Sequence, residues 1–347
     1  MADNERMRWF SPDTAPFVLE GFPFFESERR YRRLPLNTDE PMPEWVEALA
    51  WNTAGGKLRF HAKLKKLAVR VRLTEGHTYD HLTADGQCGF DCYADDGSGK
   101  RFYAVSRFDR SKTEYESVFF TADRQLDLEL EINFPLYSGI SDVMFGFDWD
   151  AEISAPKKRG YGKRIVVYGS SITQGGCATR PGMAYTNILS RRLDAEIINL
   201  GFSGSGRAEA EVAREISKIE NVGLLLLDCE ANCHDTEWVE SHYPEFIRIL
   251  RERYPDVPML VLSASPKTNE LYIAKEHELR MANKRFEREL VERLRAEGDG
   301  LIRFMDYEDM LGAEWMEETV DGCHATDLGF LYMANGLEPV LREMLGL

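Results

Sequence analysis

Basic residues are in short supply: 43 Lys and Arg stand against 59 Asp and Glu, a formal charge of −16. A surface of that sign repels phosphate backbones and anionic headgroups, which argues against nucleic acid and membranes as partners. Long apolar runs are missing too, since stretches such as Val222–Leu227 are far too short to span a bilayer. The opening residues MADNERMRWF lack the basic-then-apolar order of a secretory leader, so a cytoplasmic location is expected. Cysteine is sparse, and the six present are expected as reduced thiols in that compartment. Cys88 and Cys92 are four apart, as are Cys229 and Cys233, which His234 follows. Neither pair has the tight CxxC spacing of zinc sites, so no metal is expected. What remains, 43% hydrophobic and 29% charged residues over 347 positions, suits a globular chain of two domains or one large one.

The two halves differ in hydrophobic period. Leu58, Phe60, Ala62 and Leu64 alternate with polar residues, and Leu67, Val69, Val71 and Leu73 repeat the pattern. Leu126 through Phe134 does so again, and Val143, Phe145, Phe147 and Trp149 close the series. Period two marks half-buried antiparallel strands, so residues 1–155 are read as an all-β sandwich domain. The basic segment APKKRGYGK, with its Pro and Gly, reads as a linker over 156–163. From 164 to 347, short apolar runs alternate with helical patterns. Strands are expected at Arg164–Tyr168, Glu196–Leu200, Gly223–Leu227, Pro258–Ser263 and Leu301–Met305. This βαβα order predicts a parallel sheet covered on both faces, a flavodoxin-like three-layer α/β/α domain.

Reactive groups on such a sheet gather beyond the carboxyl ends of its strands. The first strand ends in Gly169-Ser170-Ser171, where a glycine permits a sharp turn and a serine can present its hydroxyl and its N–H. The second ends in Gly201-Phe202-Ser203-Gly204-Ser205-Gly206, rich in residues that let amides approach a ligand. The third ends in Asp228-Cys229-Glu230-Ala231-Asn232, and Asn232 carries a side-chain donor. A base is still required. Asp321-Gly322-Cys323-His324 supplies one before the last helix, with a carboxylate placed to hold one imidazole nitrogen while the other takes a proton. His234 is the competing base, Ser170 the competing nucleophile, and Ser171 and Asn232 could each serve merely as a helix or turn cap.

These four blocks, in this order over residues 163–347, resemble those of SGNH (GDSL-type) hydrolases. DGCHATDLGF is similar to that family's D-x-x-H region. The resemblance implies Ser171 as nucleophile, His324 as general base and acid, and Asp321 as orienting carboxylate. It also implies an oxyanion hole of Ser171 N–H, Gly204 N–H and the Asn232 side chain, with no cofactor. Two departures stand out: Gly169-Ser170-Ser171 replaces G-D-S, and Glu230-Ala231-Asn232-Cys233 replaces G-x-N-D. In the first half, Gly89-Phe90-Asp91-Cys92-Tyr93 resembles the G-x-D-L-Y signature of a β-rich domain preceding one subgroup of these hydrolases. Tyr93 and Arg180 are candidate substrate contacts, with a plain hairpin and a helix surface as their structural alternatives. The expected activity is hydrolysis of a carboxylic ester through an acyl-enzyme, removing acetyl or another small acyl group from a carbohydrate. Acyl transfer by the same triad and a silent carbohydrate-binding protein are the alternatives.

Overall fold

A computed structural model describes residues 6–347; the first five, assigned above to the β-rich half, lie outside the described residues. That half forms one antiparallel sheet of eight strands. They are β1 (Met7–Phe10), β2 (Val18–Glu20), β3 (Lys57–Leu73), β4 (Asp91–Asp95), β5 (Arg101–Val105), β6 (Glu114–Asn133), β7 (Ile140–Asp148) and β8 (Glu152–Ser154). The main path runs β1-β7-β3-β6-β4-β5, with β2 and β8 also pairing β3. The two alternating patterns at 58–64 and 67–73 belong to one strand. Its pairing with β6 slips between Leu64 and Lys66, and that irregularity moves the inward positions from even to odd numbers. Both stretches then feed a single core, in which Phe60 meets Phe147 edge to face at 5.4 Å. The half expected to be a sandwich is thus joined by its hydrogen bonds into one antiparallel sheet. Trp149, read as the last inward residue of its series, lies past the end of β7 and is exposed.

The second half carries β9 (Tyr161–Gly169), β10 (Ala195–Gly201), β11 (Val222–Asp228), β12 (Met259–Leu262) and β13 (Ile302–Met305). They pair in parallel in the order β10-β9-β11-β12-β13, which is the 2-1-3-4-5 order of flavodoxin-like sheets. Alternate residues of β9 face opposite cores. Val166 and Tyr168 join the helices Ala210–Ile216, Thr236–Arg253 and Ala274–Ala296, while Ile165 and Val167 join Tyr185–Leu193 and Asp327–Leu345. Among the described residues, no helix is long and apolar enough to cross a membrane.

The boundary between the halves is less simple than the sequence suggested. Leu34, Val46 and Ala50 lie in the α/β core, and Ala54, Leu82, Leu136 and Tyr137 lie in the core on its other face. Arg33 is fully buried; its guanidinium donates to the carbonyls of Leu49, Asn199 and Gly201. The segment 156–163 is no loose linker. Tyr161 already begins β9, and the nearly buried Arg159 pairs with Glu20, Glu131 and Asp194. Lys57 and Arg59 pair with the same two glutamates, so a closed set of opposite charges clamps the crossover. Such a set fixes geometry because removing one member strands a buried charge.

Candidate active site

β9 delivers the chain into a turn that leaves no room at Gly169, where a Cβ would sit 2.1 Å from Thr173 Oγ1 and 2.5 Å from the Asp228 carbonyl. Ser170 is the N-cap of the short helix Ser171–Gln174, its hydroxyl accepting from the Ile172 N–H, so the competing nucleophile is occupied as a cap. Ser171 opens that helix, and its N–H is one of the donors a helix start leaves without an internal partner. Beneath the turn lies Asp228, buried and accepting hydroxyl protons from Thr173 at 2.7 Å and Tyr185 at 3.0 Å. Burial pushes its carboxyl up to about 7 against the pull of those two donors.

The second part of the site is the loop between Thr319 and Ala325, which bridge as a short antiparallel pair. Gly322 holds φ +85, a left-handed conformation that suits glycine. That turn folds Asp321 back onto its own loop, where Oδ1 accepts the N–H of Cys323 at 3.0 Å and of His324 at 2.8 Å. Asp321 Oδ2 lies 2.7 Å from His324 Nδ1, and His324 Nε2 lies 2.9 Å from Ser171 Oγ. A carboxylate only accepts, so Nδ1 carries the imidazole proton and Nε2 is free to accept from the serine. Burial raises the Asp321 carboxyl, but the His324 N–H and ring outweigh it and hold the group below its ordinary value. The three residues thus form a hydrogen-bonded line from a buried hydroxyl to an ionised carboxylate.

The remaining predicted residues fall into two groups. Gly204 lies in the turn after β10, at φ +68 with open space where a Cβ would be. Among the described residues, neither its N–H nor that of Ser171 has a protein acceptor. Asn232 ends a 3₁₀ turn after β11, and its amide donates to the Phe202 and Gly206 carbonyls, both at 3.2 Å. It therefore sutures the turn that carries Gly204. His234 is exposed with its ring edge on Trp238, while Asp235 caps the Thr236–Arg253 helix, so the rival base has no carboxylate partner there.

Tyr93 and Arg180 belong to a clasp between the halves. Asp91, fully buried, accepts from Arg180 Nη1 at 2.7 Å, the Gly182 N–H at 2.8 Å and Asn133 at 2.7 Å. Arg180 also donates to the Tyr93 hydroxyl at 2.7 Å and lies over the Phe102 ring. The geometry spends these groups on one another, which favours the structural alternative for both over the expected substrate contacts.

Several neighbours of the site carried no signal in the sequence. The Tyr137 hydroxyl, from the β-rich half, donates to the Ser171 carbonyl at 3.2 Å. His81, on a loop of the same half, brings its ring centroid within 5.6 Å of that of His324. Gln174 joins Asn52 and Leu136 to the 202–206 turn through its amide. His81 and Tyr137 stand in irregular stretches, where neither periodicity nor spacing marks them, and Gln174 closes the short nucleophile helix.

The profile of the GDSL-like lipase/acylhydrolase family matches residues 162–342, and that of the GxDLY domain, the N-terminus of SGNH-type esterases, matches 7–153. The chain belongs to the GDSL-like lipase/acylhydrolase family. It is similar to a GDSL-like lipase from Bacteroides ovatus, with 28% identity over 98% of both chains and a TM-score of 0.90. The salicylyl-acyltransferase SsfX3 of a tetracycline biosynthetic pathway shares 16% identity over 97% of both chains, with a TM-score of 0.76. A family two carbohydrate esterase from Cellvibrio japonicus shares 12% identity over 98% of both, with a TM-score of 0.64. At these last two identities the likeness is one of fold. No curated protein matches the chain.

Proposed function

We propose that this GDSL-family hydrolase is a serine esterase that removes a small acyl group, acetyl foremost, from a carbohydrate or glycoside. The observation that carries the reading is the unbroken line Ser171 Oγ, His324 Nε2, His324 Nδ1, Asp321 Oδ2, with contacts of 2.9 and 2.7 Å. In the first step Ser171 Oγ bonds to the ester carbonyl carbon and its proton passes to His324 Nε2. Asp321 steadies the imidazolium that results. The carbonyl oxygen gains negative charge and is met by the Ser171 and Gly204 N–H groups, and Asn232 joins as a third donor by exchanging one of its amide contacts to the Phe202 and Gly206 carbonyls for the oxyanion. The carbon–oxygen bond to the alcohol then breaks, and the alkoxide leaves with the proton from His324. Water repeats the sequence on the acyl-enzyme and releases the acid.

The sugar in this proposal is supported by the architecture shared with the family two carbohydrate esterase and by the surface beside the histidine loop. A cleft of about 580 Å³ there is lined by Lys267, Glu270, His277, Arg280 and Trp315 among others. The Thr268 N–H, on the same segment, bonds the Gly322 carbonyl at 2.9 Å. Polar side chains around one indole suit a polyhydroxylated alcohol.

Ser171→Ala tests the chemistry. Release of 4-nitrophenol from its acetate ester should drop by on the order of 10⁶-fold while the circular dichroism stays unchanged. Undiminished turnover would refute the assignment. Acetylated sugars assayed beside esters of increasing chain length, with free acid and transferred ester both measured, test the substrate and the acceptor.

A further inference from the structure

A second chemical capacity lies at the same centre. The ligand atoms of His81, Cys177 and His324 all fall within 4.8 Å of one another. We propose that these three residues form a soft-metal site, filled by Zn²⁺, which switches the esterase off by capturing the nitrogen that would accept the serine proton.

The three come from separate parts of the chain. His81 is exposed on a loop of the β-rich half, Cys177 is buried in the Gly175-Gly176-Cys177 turn behind the nucleophile helix, and His324 sits on the histidine loop. Two imidazoles and one thiol are a borderline-soft set that favours zinc over calcium or magnesium. Tetrahedral zinc, with bonds of about 2.0–2.3 Å, needs its ligand atoms about 3.3–3.8 Å apart, a contraction within reach of small side-chain rotations.

Two further observations point the same way. Both imidazoles carry a carboxylate on Nδ1, Asp321 on His324 at 2.7 Å and Asp80 on His81 at 3.3 Å, which assigns Nε2 of each ring to the metal. Metal-ligating histidines are oriented in this way, and among the described residues it leaves His81 Nε2 free and His324 Nε2 engaged by Ser171 Oγ alone. Cys177 moreover holds φ +72, a left-handed conformation costly for a side-chain residue. The acyl-transfer chemistry has no use for that thiol.

On binding, the Cys177 thiol releases its proton to solvent and the sulfur becomes a thiolate ligand. His324 Nε2 exchanges its hydrogen bond with Ser171 Oγ for a bond to the metal. One lone pair cannot serve both, so occupancy and hydrolysis exclude each other. The inhibitory consequence rests on the role proposed above for His324, whereas the metal binding does not.

The test separates the two. Ser171→Ala protein keeps all three ligands and is titrated with Co²⁺. One equivalent should give the visible bands of tetrahedral cobalt and a thiolate-to-cobalt charge-transfer band that is absent in Ser171→Ala/Cys177→Ser. No charge-transfer band overturns the site, whatever the wild-type chain hydrolyses. In the wild-type chain, Zn²⁺ should suppress 4-nitrophenyl acetate hydrolysis and EDTA restore it, while Mg²⁺ and Ca²⁺ have no effect. His81→Ala, at an exposed position, should keep basal hydrolysis and need at least about tenfold more Zn²⁺ for the same suppression. Equal sensitivity of the two proteins overturns the proposal.

Discussion

Removing the Arg180 guanidinium should loosen the whole chain rather than weaken substrate binding. Asp91 has no exposed surface, and among the described residues Arg180 supplies its only opposite charge in direct contact, at 2.7 Å. In Arg180→Ala the carboxylate keeps two neutral donors, the Gly182 N–H and the Asn133 amide. A buried charge stripped of its partner costs about 3–5 kcal/mol, a large part of the 5–15 kcal/mol by which a typical domain is stable. Asp91→Ala should be costly as well. The double variant should cost less than the sum of the singles by about 2–3 kcal/mol, because neither charge is then left alone. Urea unfolding at neutral pH, followed by circular dichroism, measures all three. In protein that is still folded, KM for a small acetate ester should be unchanged. A raised KM with an unmoved unfolding midpoint would restore Arg180 as a substrate contact and refute the clasp. Strict additivity of the two single losses would refute the pairing.

Asp228 makes stability depend on pH. Its folded-state value of about 7 lies above the ordinary 3.8, so the folded protein binds the proton more tightly than the unfolded chain between those limits. Stability therefore falls as pH rises from about 4 to about 7 and is flat beyond, the group's share being about 4 kcal/mol at most. Asp228→Asn should remove that slope, and thermal melts across the range would show an unchanged slope if the reasoning fails. Asn232→Ala should lower kcat by about 10²–10³-fold with little change in KM. A kcat within threefold of wild type would leave Asn232 only its suturing contacts to the 202–206 turn.

The parallel sheet was legible because its strands are short apolar runs separated by helical patterns, and each predicted strand lies within a few residues of an observed one. The pairing of Asp321 with His324 was legible for a different reason: DGCH closes on itself within one turn, so spacing brings the carboxylate to the imidazole, whereas the link to Ser171, 153 positions away, was implied by the family resemblance. What escaped was long-range. The parity change between Leu64 and Leu67 reads equally as two strands or as one strand with a bulge, and only pairing with β6 decides. Tyr93 and Arg180 were visible as unusual residues, but their mutual contact spans 87 positions, which no local pattern encodes. Arg159 was read as linker because basic residues beside Pro and Gly are usually solvated. Its partners Glu20 and Glu131 sit on strands far upstream. His81 and Tyr137 were invisible, being single residues in irregular loops.

The arginine sealed against the end of β10 bears on how such a chain can be cut. Its donors occupy the carbonyls of Asn199 and Gly201, at the root of the turn that carries Gly204. A fragment beginning near residue 156 would keep every residue of the hydrolytic line. It would also bare those carbonyls and open the apolar seat of Leu34, Val46 and Ala50 to water. The piece that holds the chemistry is thus unfit for excision, and shuffling either half onto a foreign partner would have to carry the 33–54 stretch along with the parallel sheet.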